Sequence, residues 1–277
     1  MTTDSLAIIG GGHMARALLG GLLQRGWPPA SLRVADPSVQ ARDYLGKRFA
    51  GVAVFEDNAT AAAGAPVWLL AVKPQQMRPA CRSLAGAATQ ARPLVISVAA
   101  GIPTDSIAGW LDGAATVVRS MPNRPALIGC GITALFARPD VDAAGRERAA
   151  AVMSAVGEHV WLEDESLMDA VTAVSGSGPA YVFLLIEMLE SAARAEGLDA
   201  TTARQLALAT VAGAARMAHE GDEEPAVMRE QVTSPGGTTA AALSVLEAGD
   251  FRDVFRRAIH AATLRSRELA RDFGDET

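Results

Sequence analysis

From Ala7 to Ala15 the chain reads AIIGGGHMA: a β-prone apolar run breaks into three glycines and resumes at once as a helix former. A strand that ends in GxGxxA and turns directly into a helix is the opening of a βαβ unit, and it commits the surrounding chain to a parallel sheet. Gly10 permits the tight turn, Gly12 lets the backbone approach a ligand, and Ala15 keeps the helix close to the sheet. The start of that helix presents N–H groups without intrahelical partners, so the pyrophosphate of a dinucleotide is the ligand the turn suits. His13 and Met14 complete the phosphate-facing turn, His13 at a position the pattern leaves variable. A glycine turn with no ligand is the plainer alternative, and the agreement of strand, turn and helix weighs against it.

The segments that follow extend the pattern. Short β-branched runs at 6–9, 32–35, 52–55, 67–72, 94–98, 116–119, 132–136 and 159–162 alternate with alanine-rich helical stretches, which predicts an α/β domain with a mostly parallel sheet. Helices stop at Gly26, before Trp27-Pro28-Pro29, and at Gly51. Beyond Glu163 the strand signal ends and helical periodicity takes over, at about 165–174, 179–196, 200–220, 223–231, 238–248 and 250–271. The charged stretch Glu163-Asp164-Glu165 sets the expected boundary: 1–164 a dinucleotide-binding domain, 165–277 a helical one.

Two domains fit a chain of 277 residues, and 49% apolar with 20% charged residues is enough to build their cores. The net charge of −6 is scattered, with no basic patch interleaved with aromatics, which excludes nucleic acid and points to a small-molecule substrate. Cys81 and Cys130 form neither a disulfide framework nor a metal knuckle and are expected to be buried thiols. No close cluster of histidines and acids predicts a metal. His219 and His260, on amphipathic helices, read as surface or interface residues, and Met153, Met168, Met188 and Met217 as packing on helix faces. The start MTTDSL has no basic leader region, and the apolar run Tyr181–Ile186 ends at Glu187, so a cytoplasmic protein with no membrane partner is expected.

At the end of the second strand Asp36 offers an acidic side chain to the adenosine ribose hydroxyls, where it would repel a 2′-phosphate. The alternative is a cap on the next helix, begun by Asp36-Pro37. Arg42, about one and a half helical turns on, offers a cation to that phosphate. Lys73 follows the fourth strand in Val72-Lys73-Pro74 at the sheet's carboxyl edge, where a contact to the nicotinamide ribose, a catalytic lysine and a solvated lysine are the three readings.

Three further segments, RSMPN at Arg119–Asn123, SGSGPAY at Ser175–Tyr181 and VTSPGGTTAAAL at Val232–Leu243, together with Asp57-Asn58-Ala59, Val72-Lys73-Pro74 and Ser97–Gly101, resemble the pyrroline-5-carboxylate reductase family over essentially the whole chain. The resemblance implies a Rossmann-like cofactor domain, a helical dimerisation and substrate domain, a site assembled from both subunits of a homodimer, and larger rings of dimers in some members. It also implies reduction of 1-pyrroline-5-carboxylate to L-proline by hydride from NAD(P)H, the last step of proline synthesis. By the same resemblance Asn58 and Lys73 lie near the adenosine and ribose portions, Ala99, Ala100 and Gly101 with Met121, Pro122 and Asn123 lie around the nicotinamide, and Ser234, Gly236, Gly237, Thr238 and Thr239 form the substrate loop. Many members carry serine or asparagine where Asp36 stands, so a preference for NADH is expected here.

The loop suits its task physically. Ser234–Thr239 opens a helix with two glycines, an array of amides and hydroxyls that binds a carboxylate without lysine or arginine; a helix cap by Thr238 or Thr239 is the alternative. Reduction of a cyclic imine needs no strong acid, since the nitrogen arrives protonated or takes its proton from water or a hydroxyl, and Thr239 is the expected partner of that nitrogen. Two-domain hydroxyacid dehydrogenases carry a lysine six residues after the first glycine of the second-domain turn; counted from Gly176 that position is Val182. A reductase of a related ring such as a piperideine carboxylate, and a dinucleotide sensor on the same fold, remain the competing functions.

Overall fold

The computed structural model describes residues 5–274. Met1–Asp4, where the leader reading begins, and Asp275–Thr277, at the end of the expected second domain, lie outside the described residues.

All eight expected strands form. They are β1 (Leu6–Ile9), β2 (Leu32–Ala35), β3 (Ala53–Phe55), β4 (Val67–Leu70), β5 (Leu94–Ser97), β6 (Thr116–Met121), β7 (Gly131–Ala137) and β8 (Gly157–Trp161). Between them run α1 (His13–Gln24), α2 (Val39–Arg48), α3 (Asn58–Ala62), α4 (Pro74–Ala91), α5 (Thr104–Trp110) and α6 (Ala143–Met153). The strands join one sheet in the order β3-β2-β1-β4-β5-β6-β7-β8, parallel throughout except for β6 with β7. The exception has a simple cause. Only a short link with the single turn Arg124–Ile128 joins these two strands, too little chain for the crossover a parallel pair requires.

Alternation along the strands loads both faces. Leu6 and Ile8 join one buried cluster with Leu18 and Leu22 of α1 and Met153 of α6, while Ala7 and Ile9 join another with Trp68, Met77 and Leu84. A sheet buried on both faces is what helical crossovers produce. Each fully buried leucine or isoleucine contributes roughly 1.5–3 kcal/mol, so Ile8→Ala should cost about 2–5 kcal/mol.

The chain divides into two compact units: residues through Ser177 together with those from Ala262 onward, and Gly178–Ala261. The first unit includes α7 (Met168–Val171), which follows the sequence boundary at 164/165. The second contains α8 (Gly178–Ala195), α9 (Ala200–Glu220), α10 (Pro225–Gln231) and α11 (Thr238–Ala248). A last helix, α12 (Phe251–Gly274), begins in the second unit and ends in the first, where Ser266 Oγ donates to Asp169 Oδ1 at 2.7 Å.

The starts of these helices are legible in the sequence: Asp199 accepts the N–H groups of Thr201 and Thr202 at the head of α9, and Pro225 opens α10. Burial is another matter. Among the described residues the buried apolar side chains of the second unit are Ala203 and Ala207, while Phe183, Leu184, Leu185 and Met188 of α8 are exposed. Contiguous apolar faces left open in a single chain are the kind that meet a partner surface.

Two expectations are corrected here. Met153 and Met168 are buried, but Met188 and Met217 are exposed, because their helix faces have no internal neighbour. Cys81 is buried, its thiol pushed up to about 12 by desolvation, whereas Cys130 is exposed on the link before β7. The apolar run Tyr181–Ile186 does stop at Glu187, while the longer helical stretch Glu165–Ala195 around it contains an 18-residue window of mean hydropathy 1.3, which by length and composition alone matches a membrane span, as core helices of soluble proteins also do. Valine, leucine, isoleucine, phenylalanine and alanine maintain that average around isolated charges.

Candidate active site

Strand register builds the site. Ile9 pairs with Ala35 and with Leu70, Leu70 with Ser97, and Ala35 with Phe55, so the residues that follow each strand emerge along one carboxyl edge. Gly10, Asp36, Glu56, Ala71–Lys73 and Val98–Gly101 are therefore neighbours on that edge although distant in sequence. The chain order reverses at β1, which lies between β2 and β4, and ligands of open parallel sheets bind at such a switch point.

At this point Gly10 has φ +100°, and an added Cβ would lie 2.7 Å from the Ala71 carbonyl oxygen, so the tight turn admits only glycine. Gly12 is the reverse case. It is exposed, extended at φ −71°, and a Cβ there would meet nothing within 4 Å. It also caps α1 with no side-chain hydrogen bond and no acidic residue in the first turn, which leaves the helix start as a donor array for phosphate. His13 is exposed, while Met14 packs against the core, so of Met14 only the backbone faces the turn.

Asp36 is held from both sides: the Gly11 N–H donates to Oδ2 at 2.7 Å and the Ser38 N–H to Oδ1 at 2.8 Å. The cap of α2 falls to Ser38, whose hydroxyl accepts from the Ala41 N–H, so Asp36 is not the cap. Arg42 is turned away from solvent, donating to the carbonyls of Asp36 and Pro37 and to Glu56 Oε2 at 3.0 Å.

Asn58 is the first residue of α3, which Asp57 caps by accepting the Thr60 N–H and hydroxyl. The Thr60 N–H, then the Thr60 hydroxyl, hold the Asp57 carboxyl below the usual range. Val72 lies against Gly10, Lys73 is the exposed cap residue of α4, and Pro74 opens that helix. Ala99 and Gly101 are buried and Ala100 half-buried; Gly101 faces the backbone of Ala270. Met121 is half-buried, with its methyl against Gly176, and Pro122 and Asn123 are buried. Asn123 Oδ1 accepts the Ile132 N–H at 3.0 Å, tying the end of β6 to β7.

Sequence reasoning missed the supports of this edge. Gly11 is buried, a Cβ there would lie 2.7 Å from Leu45 Cδ1, and its N–H orients Asp36; the middle of three glycines was the available signal. Behind the 99–101 loop, Glu165 accepts the Thr104 N–H and hydroxyl and the buried Arg119 guanidinium at 2.7–3.1 Å. No local pattern announces that cluster. Between α7 and α8, Thr172–Gly176 forms a π-helical turn, in which the Ser177 N–H donates to the Thr172 carbonyl. Such turns concentrate at functional positions.

In the second unit Ser234–Gly237 closes a turn through the Gly237 N–H and the Ser234 carbonyl at 3.0 Å, with Gly236 at φ +73°. Gly237 caps α11 with no side-chain bond, so neither Thr238 nor Thr239 is the cap. Their hydroxyls and the first-turn N–H groups form a donor array of the kind that binds a carboxylate.

A mostly parallel sheet with a glycine turn at the head of α1 and a fixed acid beyond β2, followed by a helical unit with a glycine turn of its own, has the organisation of a dinucleotide-dependent oxidoreductase. Residues 5–101 match the family described as NADP oxidoreductase, coenzyme F420-dependent, and residues 165–269 the family described as pyrroline-5-carboxylate reductase dimerisation. A pyrroline-5-carboxylate reductase of Pseudomonas aeruginosa is 46% identical, covering 99% of this chain and 100% of its own length. A solved pyrroline-5-carboxylate reductase from Coxiella burnetii superposes with a TM-score of 0.92 at 41% identity, over 97% of this chain and 99% of that one. The Plasmodium falciparum pyrroline carboxylate reductase, solved with NADP bound, has a TM-score of 0.85 at 26% identity over 98% of this chain and 99% of that one. The chain belongs to the pyrroline-5-carboxylate reductase family.

Proposed function

We propose that this oxidoreductase holds NADH along the carboxyl edge of its sheet and its substrate on the Ser234–Thr239 turn. The chain reduces 1-pyrroline-5-carboxylate to L-proline, the last step of proline biosynthesis. When bound, the reduced nicotinamide supplies hydride to the imine carbon. The Gly10–Met14 turn and the open backbone at Gly12 receive the pyrophosphate. Asp36 accepts from the adenosine ribose hydroxyls. Asn58 and Val72–Pro74 line the adenosine and ribose, and Ala99–Gly101 and Met121–Asn123 the nicotinamide.

Ser234, Gly236, Gly237 and Thr238 bind the substrate carboxylate. Thr239 hydrogen-bonds at the imine nitrogen, where the electron pair of the C=N bond settles as the hydride arrives, and holds the proton there. The functional division follows 1–164 for the cofactor and 165–277 for dimerisation and substrate. The exposed apolar faces of α8 and α9 support a homodimer as the minimum unit, which rings of dimers would extend. We place this enzyme in the cytoplasm.

One observation carries the cofactor reading: the Asp36 carboxylate is fixed by two backbone N–H groups beside the glycine turn. A carboxylate so held accepts from a ribose diol and repels a phosphate. The purified protein should be assayed with racemic pyrroline-5-carboxylate and each reduced cofactor, following loss of nicotinamide absorbance. Higher kcat/KM with NADH is expected, and a higher value with NADPH overturns the placement of Asp36. Light scattering during the assay checks the dimer, which a stable, active monomer would refute.

A further inference from the structure

We propose that Glu56 is a specificity-determining residue for the cofactor, acting through Arg42; the inference rests on the reading that the adenosine ribose lies at Asp36. The strand register places the three residues together. Ala35 pairs with Phe55 and the Asp36 N–H donates to the Phe55 carbonyl at 3.1 Å, so the residue after β3 lies beside the residue after β2. Arg42 reaches back from α2 into this corner. Its Nη1 donates to the Asp36 and Pro37 carbonyls at 3.0 and 2.8 Å, and its Nη2 to Glu56 Oε2 at 3.0 Å.

A 2′-phosphate on the ribose would carry close to two negative charges and seek a guanidinium fork. At this corner the fork is held against the backbone and its charge is matched by Glu56. Arg16, in the first turn of α1, is likewise engaged, donating to the Gly11 carbonyl at 2.8 Å and lying 4.1 Å over the Tyr44 ring. Asp36 thus repels the phosphate while Glu56 withholds the cation that would compensate it. The Glu56 side chain is 73% exposed against 20% for Arg42, so its hold on Arg42 is that of a solvent-screened pair. Release of Arg42 should therefore be worth about a two- to fivefold change and should fade at high salt.

The test compares the full-length wild type, Glu56→Gln, Arg42→Gln, the double variant and Asp36→Ser, measuring kcat/KM for NADH and NADPH and the affinity for ADP and 2′,5′-ADP. Glu56→Gln is expected to raise kcat/KM for NADPH about two- to fivefold and to tighten 2′,5′-ADP by a similar factor. NADH and ADP should be unchanged, and the gain should be absent when Arg42 is glutamine. Equal changes with both cofactors, or a gain that persists without Arg42, overturn the role of Glu56. Asp36→Ser separates the two levels. If it shifts the NADH-to-NADPH ratio while Glu56→Gln does not, the ribose reading stands and the Glu56 inference falls; if it leaves the ratio unchanged, the ribose reading itself falls.

Discussion

Gly10→Ala and Gly12→Ala should separate folding from cofactor binding within one turn of chain. At Gly12 the backbone is extended at φ −71° and ψ −172°, which alanine adopts freely, and the new methyl meets no atom within 4 Å. Reduced freedom of the unfolded chain then stabilises by about 0.4–1 kcal/mol, against a loss of a few tenths to 1 kcal/mol for alanine at a cap position. The net change in stability should lie within about 0.5 kcal/mol. A bound phosphate must approach the N–H groups of this turn to about 2.9 Å, whereas a methyl carbon holds other atoms at about 3.5–4.0 Å. Loss of a hydrogen bond to a charged group costs about 1.5–3 kcal/mol, so the dissociation constant for NADH should rise roughly 10- to 150-fold. Gly10→Ala should do the opposite. Its φ of +100° costs an alanine about 1–2 kcal/mol, and displacing the Ala71 carbonyl, 2.7 Å from the new carbon, adds about 1–3 kcal/mol. Urea denaturation reads the first quantity and NADH fluorescence titration the second. If Gly12→Ala unfolds as readily as Gly10→Ala, the open geometry at Gly12 is refuted, and if it binds NADH within about twofold of wild type, the phosphate does not lie on this turn.

Thr239→Val preserves shape and removes the hydroxyl assigned to the imine nitrogen, so turnover should fall roughly ten- to a hundredfold with cofactor affinity retained. Thr238→Val, where the backbone N–H still reaches the carboxylate, should act mainly on the Michaelis constant; full turnover in Thr239→Val with none in Thr238→Val would mean the roles are exchanged. Asp57, lowered from its ordinary value by the Thr60 N–H and hydroxyl, contributes stability that is present above the unfolded pKa near 3.8 and is lost as pH falls through the lower folded value. Asp57→Asn should keep the cap at neutral pH and flatten this acid limb in urea midpoints measured from pH 7 to pH 3, and an unchanged limb would show that the cap does not govern it.

Much of the architecture was settled locally. β1 and β2 have the predicted bounds because β1 runs into Gly10 and β2 lies between Pro29 and Pro37, breakers that leave little freedom in where a strand starts and stops, and α9 and α11 likewise coincide with their periodic segments. The glycine turn was legible for the same reason, since strand, turn and helix are consecutive in sequence. What the tertiary structure decided depends on which strand pairs with which. Pairing of β2 with β3 brings Glu56 to Arg42, and passage of β1 beside β2 brings the Gly11 N–H to Asp36. The folding of Glu165 onto Thr104 and Arg119 joins residues that no periodicity relates. The return of α12 to the first unit beyond Ala262 follows from where its Ser266 finds Asp169, and the exposure of Met188 and Met217 from helices whose apolar faces exceed what their own unit can cover. Local sequence fixes backbone conformation through sterics and periodicity, whereas contacts between distant residues exist only once the sheet order has placed their strands side by side.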